Sequence, residues 1–258
     1  MSVTDTNEIP NEDDTSQISL WKKFSNDIDN SILHEDYAAV LAMVDLALAN
    51  ELLPGIRASF LCRKGAALNH MNKFSEAIPV IREALSCDPE NYHIMIMLSQ
   101  VLARDVFITN PVKNCPLKPA EKKKLSEALG YSLQAFSYCN DRLDPEIYRN
   151  IAVIHKALGQ FSEALPFLKA YCELMARNIE NPSLYYDAVL SYVATLSYEA
   201  KDEHLKEADR LLERSCIKAQ ADGLNDAANM MRQWRSELKK IPRFPSRYGE
   251  KPFELLMN

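Results

Sequence analysis

An eight-residue segment occurs twice in the chain, and this repetition limits the possible folds more than any other feature. Residues 74–81 read FSEAIPVI, and residues 161–168 read FSEALPFL. Four consecutive identities are followed by apolar residues matched around a shared proline, which makes chance a poor explanation. Such internal similarity indicates an architecture in which copies of one supersecondary unit stack on each other.

The residues around the first copy predict a pair of helices closed by a proline. Small and bulky residues recur at helical spacing on both sides of it, at Leu61, Gly65, Leu68, Ala84 and Pro89. The whole chain has only six glycines in 258 residues, well below the average usage of about 7%. We therefore expect helices over nearly its entire length.

This pattern resembles the tetratricopeptide repeat (TPR), a helix-turn-helix unit of about 34 residues. The family's characteristic positions 4, 8, 11, 17, 20, 24, 27 and 32 correspond here to Leu61, Gly65, Leu68, Phe74, Ala77, Ile81, Ala84 and Pro89. Position 7, usually Leu, is Lys64. Small residues at such positions let two antiparallel helices approach closely, while bulky residues fill the space beside them.

The residue at position 20 of each copy gives the number of repeats. The predicted markers are Val40, Ala77, Ala128, Ala164 and Ala208, which are 37, 51, 36 and 44 residues apart. The longest separation predicts a proline-rich insertion loop at about 108–120, between the two helices of one repeat. The separation of 44 predicts longer helices from Ser183 onward.

The resemblance implies an all-α fold, a right-handed α-solenoid of about five TPR-like repeats. A further helix at about 225–240 would cap the stack with a polar outer face, as solenoids require. We predict a repeat domain over residues 18–240, preceded by a disordered acidic segment at 1–17. Residues 241–258 form a tail rich in proline and aromatic residues.

The resemblance also implies that the first helix of each repeat lines a concave groove that binds a partner. On this basis the candidate binding residues are Arg63, Asn69, His93, Ile96, Met97, Gln100, Arg149, Asn150 and Val153. The helix that starts at Tyr92 is apolar almost all round. Ile96 and Met97 are therefore predicted to stay exposed once Met95 and Leu98 enter the core. Alternatively, a longer neighbouring helix or the insertion buries the whole stretch.

One known type of TPR ligand is the acidic C-terminus of heat-shock chaperones, held by a clamp of several Lys, Asn and Arg side chains. The segment Tyr148-Arg149-Asn150 resembles one element of this clamp. The flanking clamp positions are Ile96, Gln100, Leu190 and Ala194. Since two carboxylates need several converging donors, this ligand is not expected here.

The C-terminal tail combines prolines with large apolar residues. Phe244, Tyr248, Phe253 and Leu255 are too apolar for a plain solvated tail, whereas the prolines prevent a regular helix up to Pro252. The tail is predicted to dock on its own solenoid or to recruit another protein.

Other classes of function are disfavoured by what the sequence contains. A net charge of −6 works against nucleic-acid binding, and no glycine-rich phosphate loop, nucleophile elbow or paired-cysteine metal motif occurs. No cofactor or catalytic residue is therefore expected. The six cysteines are dispersed, which favours reduced thiols in a cytoplasmic protein. His155 falls at a core position of its repeat and is predicted to be structural.

The resulting hypothesis is an adaptor or scaffold that binds a peptide or helical segment of another protein in its groove, without membrane insertion. A second hypothesis is a secretion or assembly chaperone that holds apolar segments of a cargo protein. An enzyme is a remote third possibility. The oligomeric state and the identity of the partner are left open by the sequence.

Overall fold

The computed structural model describes residues 12–109, 116–139, 144–178, 181–199 and 201–241, and every regular element in these ranges is an α-helix. The helices are α1 (Glu12–Leu33), α2 (Tyr37–Leu48), α3 (Pro54–His70), α4 (Phe74–Cys87), α5 (Tyr92–Thr109), α6 (Pro119–Tyr138), α7 (Pro145–Ala157), α8 (Phe161–Met175), α9 (Ser183–Glu199), α10 (Asp202–Ala221) and α11 (Asn225–Leu238). The chain divides into two compact units, Met1–Tyr138 and Cys139–Asn258. Unit 1 thus contains α1–α6, and unit 2 contains α7–α11.

Four helix-to-helix turns place one residue in the left-handed backbone region at the same point. Glu35 and Asn72 have φ of 57° each, and Gly159 and Gly223 have φ of 77° and 74°. Each is the second residue after its helix ends. Glycine adopts this conformation without steric cost, whereas a residue with a Cβ is strained there. Three of these turns join the two helices of one pair, and the fourth joins α10 to α11. The recurrence of one turn geometry within three pairs agrees with a repeated unit.

Unit 1 consists of three antiparallel helix pairs, α1–α2, α3–α4 and α5–α6, in which α3 also contacts α1 and α5. The marker residues Val40, Ala77 and Ala128 are all 0% exposed. Gly65 allows the close approach of α3 and α4, because a Cβ there would lie 2.4 Å from Ile81 Cγ1. Lys64, the departure from the family pattern, directs its Nζ to Asp45 Oδ1 of α2 at 2.6 Å.

Unit 2 contains the pairs α7–α8 and α9–α10, and α11 packs on α10 and α9. Its markers Ala164 and Ala208 are also 0% exposed. His155 is buried, with Nδ1 at 2.9 Å from Gln160 Oε1 and its ring stacked on Phe167. This is the structural role predicted for His155.

Two tyrosines of α9 form hydrogen bonds to carboxylates in α10 and directly after it. Tyr186 donates to Asp222 Oδ2 at 3.0 Å, and Tyr192 donates to Glu207 Oε1 at 2.7 Å. Burial is the main cause that raises the pKa of both phenols, followed by these bonds to carboxylates. Hydroxyl-to-carboxylate bonds from larger side chains thus contribute to the contact between the two helices of this repeat.

The end of the stack agrees with the predicted cap. Helix α11 buries Ala228, Met231 and Leu238, and its other face is mostly polar and exposed. Ile241, which follows it, is 6% exposed and belongs to the core of unit 2.

Two observations concern the predicted boundaries, which stay predictions. Helix α1 begins at Glu12, inside the segment expected to be disordered, and residues 1–11 lie outside the described ranges. The predicted repeat domain extends over both compact units. The expected insertion falls between Thr109 and Pro119, and only residues 116–118 of it are described.

Candidate functional site

A cleft of about 320 Å³ opens on the face of unit 1 formed by α1, α3 and α5, the first helices of its three pairs. This surface is called the first-helix face below. The cleft is lined by Ile32, Gly55, Ala58, Ser59, Cys62, Arg63, Ala66, Asp88, Asn91, His93, Ile94 and Met97. Arg63, His93 and Met97 are the predicted groove residues among them.

The wall contributed by α3 includes a strip of small side chains. Ala58, Cys62 and Ala66 follow each other one helical turn apart, so they form a continuous strip along the cleft. Burial raises the pKa of the Cys62 thiol to about 11. Since the thiol is then protonated at neutral pH, Cys62 acts as a small apolar side chain and not as a nucleophile.

The opposite wall comes from α5, where Met97 is half-buried and lines the cleft. Met95 and Leu98 lie in the core at 0% exposure, as predicted. The expected exposure of Ile96 is wrong, because its side chain is 6% exposed. Helix α5 packs against α3, α4 and α6, so only a narrow strip of its surface remains accessible.

Arg63 is fixed by partners on two helices. Its guanidinium donates to Ser59 Oγ at 2.7 Å, to Ser25 Oγ of α1 at 2.8 Å and to Asp29 Oδ1 at 3.1 Å. The ion pair with Asp29 compensates its charge. Arg63 therefore joins α1 to α3 and shapes one side of the cleft.

The ends of the cleft differ in charge. At one end, Asp88 and Asn91 lie beside the start of α3 and α5, and Asn91 Nδ2 donates to Asp88 Oδ2 at 2.8 Å. Outside the other end, one turn of α3 beyond the lining residue Ala66, Asn69 Oδ1 accepts a hydrogen bond of 3.1 Å from Arg104 Nη1. Neither Asp88 nor Asn91 was predicted from the sequence, because both fall in the turn before α5.

The remaining predicted residues of unit 1 lie on the same face. His93 is exposed, with its ring centroid 3.9 Å from that of Tyr92. Gln100 and Asn69 are half-buried, one turn beyond Met97 and Ala66. Five of the six candidate residues in unit 1 are thus at least partly accessible on one surface, and Ile96 is the exception.

The candidates in unit 2 lie on α7. Arg149 is exposed and pairs with Glu146 at 2.6 Å, Asn150 is 8% exposed, and Val153 is 37% exposed. Lys156, which also lies at a groove position of its repeat, donates from Nζ to Ser191 Oγ of α9 at 3.1 Å. Burial lowers the pKa of this ammonium group. The tail candidates Phe244, Tyr248, Phe253 and Leu255 lie outside the described residues.

Two further observations concern the described chain. None of its helices combines the length and apolar character needed to cross a membrane. Each of the five described cysteines carries a free thiol, and Cys139 and Cys172 are buried.

The chain is similar to known proteins in its three-dimensional structure. No protein-family model matches the chain, and no curated protein matches its sequence. The solved structure of PilF from Pseudomonas aeruginosa matches with a TM-score of 0.55 and 14% identity, covering 93% of this chain and 98% of PilF. A structure of MamA matches with a TM-score of 0.50 and 12% identity, covering 86% of this chain and 92% of MamA.

Both of these structures are TPR proteins. The similarity covers nearly the whole chain and includes the paired helices predicted from the repeated segment. The prediction of an all-α repeat fold closed by a C-terminal helix is therefore confirmed, and the chain has the fold of the tetratricopeptide-repeat proteins.

Proposed function

We propose that the chain is a protein-interaction scaffold and that the cleft on the first-helix face of unit 1 holds a short segment of another protein. The observation that carries the proposal is an open cleft with apolar walls on the surface where this fold presents its first helices. Ala58, Cys62 and Ala66 form one wall, and Ile94 and Met97 form the other.

The size and chemistry of the cleft support a peptide ligand. Its volume of about 320 Å³ lies near the lower limit of the 300–1,000 Å³ typical of ligand pockets. Such a volume suits one or two apolar side chains of a peptide. Met97 is flexible and polarizable, so it can adapt to the shape of an apolar anchor. Polar side chains near both ends, such as Asn91 and Asn69, can form hydrogen bonds with the backbone of the peptide.

The finer predictions from the sequence belong to the same proposal. The face of α7 with Arg149 and Val153 would be a further contact surface within unit 2, whereas the predicted site residue Asn150 is buried and would not contact a partner there. The assembly-chaperone hypothesis would use the same cleft, but a cavity of this volume favours a short anchor over a long apolar segment. A cytoplasmic location and the absence of catalysis stay predictions.

The test uses the full chain and a displayed library of random twelve-residue peptides. Enriched peptides are measured against the wild type, Met97→Asp and Ala66→Trp. The first variant places a charge in the cleft wall, and the second fills the cleft. Ile96 is left unchanged, since a charge at a residue that is 6% exposed would unfold the helix pair. Met230→Asp is the matched control, because Met230 is 42% exposed on α11 in unit 2.

We expect Met97→Asp and Ala66→Trp to weaken binding at least about tenfold, because an apolar anchor would lose its pocket. Met230→Asp should bind like the wild type, and circular dichroism should show equal helicity in all four proteins. Unchanged affinity in both cleft variants would contradict the proposal.

A further inference from the structure

All but one of the half-buried Lys and Arg side chains described in unit 1 form an ion pair. The described part of the unit contains five half-buried Lys and Arg side chains, and four of them form ion pairs: Arg57 with Glu83, Arg63 with Asp29, Lys64 with Asp45 and Lys124 with Asp105. The fifth is Arg104, which makes no ion pair with any described residue. Its neighbour in sequence, Asp105, is paired with Lys124.

Arg104 is held in a fixed position without compensation of its charge. Its Nη1 donates to the neutral amide oxygen of Asn69 at 3.1 Å, and its guanidinium lies 5.8 Å from the centre of the Phe74 ring. A guanidinium has five N–H donors. Asn69 accepts the one hydrogen bond that Arg104 makes within the described residues, so most of its donors are available to a ligand.

The position of Arg104 relates it directly to the cleft. Met97 and Arg104 are seven residues apart on α5, which is two turns and about 10 Å along the same side of the helix. Asn69, the partner of Arg104, is one turn beyond Ala66 on α3. An uncompensated positive charge therefore lies on the first-helix face about 10 Å beyond the apolar wall.

We propose that the segment bound in the cleft carries a carboxylate and that Arg104 binds it. This inference rests on the function proposed above and adds the chemistry of the partner. An extended chain advances about 3.3 Å per residue, so the acidic residue would lie about three residues from the apolar anchor. Asp88 at the opposite end of the cleft repels a carboxylate, which gives the bound segment one orientation.

The same peptide selection is run in parallel on the wild type, Arg104→Glu and Lys123→Glu. Lys123 is exposed near the start of α6, so its variant makes the same change in net charge away from the first-helix face. We expect peptides selected on the wild type and on Lys123→Glu to carry Asp or Glu about three residues from a large apolar residue. Arg104→Glu should select Lys or Arg at that place.

The best acidic peptide is then compared with its Asp→Asn form. The wild type should bind the acidic form about tenfold more tightly, because hydrogen bonds to charged groups are the stronger ones. Arg104→Glu should lose this preference. Equal affinity for the two peptides, or the same selected sequences with Arg104→Glu, would overturn the inference.

The variants distinguish a failure of the carboxylate inference from a failure of the proposed function. If Ala66→Trp blocks binding but the charge at residue 104 has no effect, the cleft binds peptides without a carboxylate contact. If Ala66→Trp and Met97→Asp have no effect on the selected peptides, the proposed function fails, and the inference fails with it.

Discussion

The close approach of Gly65 to Ile81 predicts that Gly65→Ala destabilises the protein, although replacing glycine by alanine within a helix usually stabilises it. A Cβ at Gly65 would lie 2.4 Å from Ile81 Cγ1 and 3.1 Å from Ile81 Cδ1, and the Ile81 side chain is 0% exposed. Gly65→Ala must therefore displace a buried side chain, which costs about 1–3 kcal/mol. Replacing glycine by alanine within a helix contributes about 0.5–1 kcal/mol in the opposite direction. The net loss in the free energy of unfolding should be up to about 2.5 kcal/mol.

Two further variants separate these contributions. Ile81→Ala removes both obstructing atoms and alone costs about 2–5 kcal/mol. In that background Gly65→Ala should stabilise the protein by about 0.5–1 kcal/mol, because only the helix propensity remains. Gly130→Ala is the control in a wild-type background. Gly130 lies within α6, and no atom of another described helix lies within 4 Å of the place that a Cβ would take, so this change should also stabilise.

Urea unfolding followed by circular dichroism gives the free energy of unfolding for each variant. The double-mutant cycle should show coupling between Gly65 and Ile81 of at least about 1 kcal/mol. If Gly65→Ala stabilises the wild type as much as Gly130→Ala does, the close approach of α3 and α4 is not what requires glycine at this position.

Three smaller predictions follow from charges and backbone strain. Burial lowers the pKa of Lys156, so the unfolded chain holds this proton more tightly and the ammonium destabilises the fold at pH 7. Lys156→Met should raise the unfolding temperature at pH 7, and the gain should shrink as the pH approaches the usual lysine value of 10.5; a gain independent of pH would contradict this origin. Glu35→Gly should stabilise the protein by about 1 kcal/mol in urea unfolding, because Glu35 has a φ of 57°; a loss would show that its side chain contributes more than the strain costs. The hydrogen bond from Arg235 is the main cause that lowers the pKa of Asp209, so Asp209→Asn should lower the unfolding temperature at pH 7. That difference should disappear as the pH falls below the ordinary value of 3.8 and the wild-type carboxyl is protonated, whereas an equal difference at both pH values would exclude the charge as its cause.

The fold could be predicted from the sequence because local signals and packing agree in most repeats. The small residues that mark each pair, such as Ala77 and Ala164, are fully buried where the repeat pattern requires them. The pattern is weakest in α9, where the contact with α10 depends on tyrosines. Their partners Asp222 and Glu207 lie 36 and 15 residues away, and no local rule connects such distant positions.

The candidate site was harder to predict, since exposure and pairing depend on contacts between distant helices. Ile96 and Met97 are adjacent in sequence, but the packing of α5 against three helices buries the first and leaves the second in the cleft. Arg63 was predicted as a groove residue, yet its charge is compensated by Asp29 of α1, 34 residues away. Arg104 also falls at a groove position of its repeat, and the lack of an ion pair with any described residue distinguishes it from the other half-buried cations of unit 1.

The most direct test of the central claim is a titration of the isotope-labelled full chain with the best selected peptide, followed by amide chemical shifts in NMR spectra. The largest shifts should fall on residues that line the cleft in α3 and α5, including Cys62, Ala66 and Met97. Addition of the same peptide to Ala66→Trp should cause no comparable shifts. Shifts confined to α11 or to other parts of unit 2, with the cleft residues unchanged, would contradict the account.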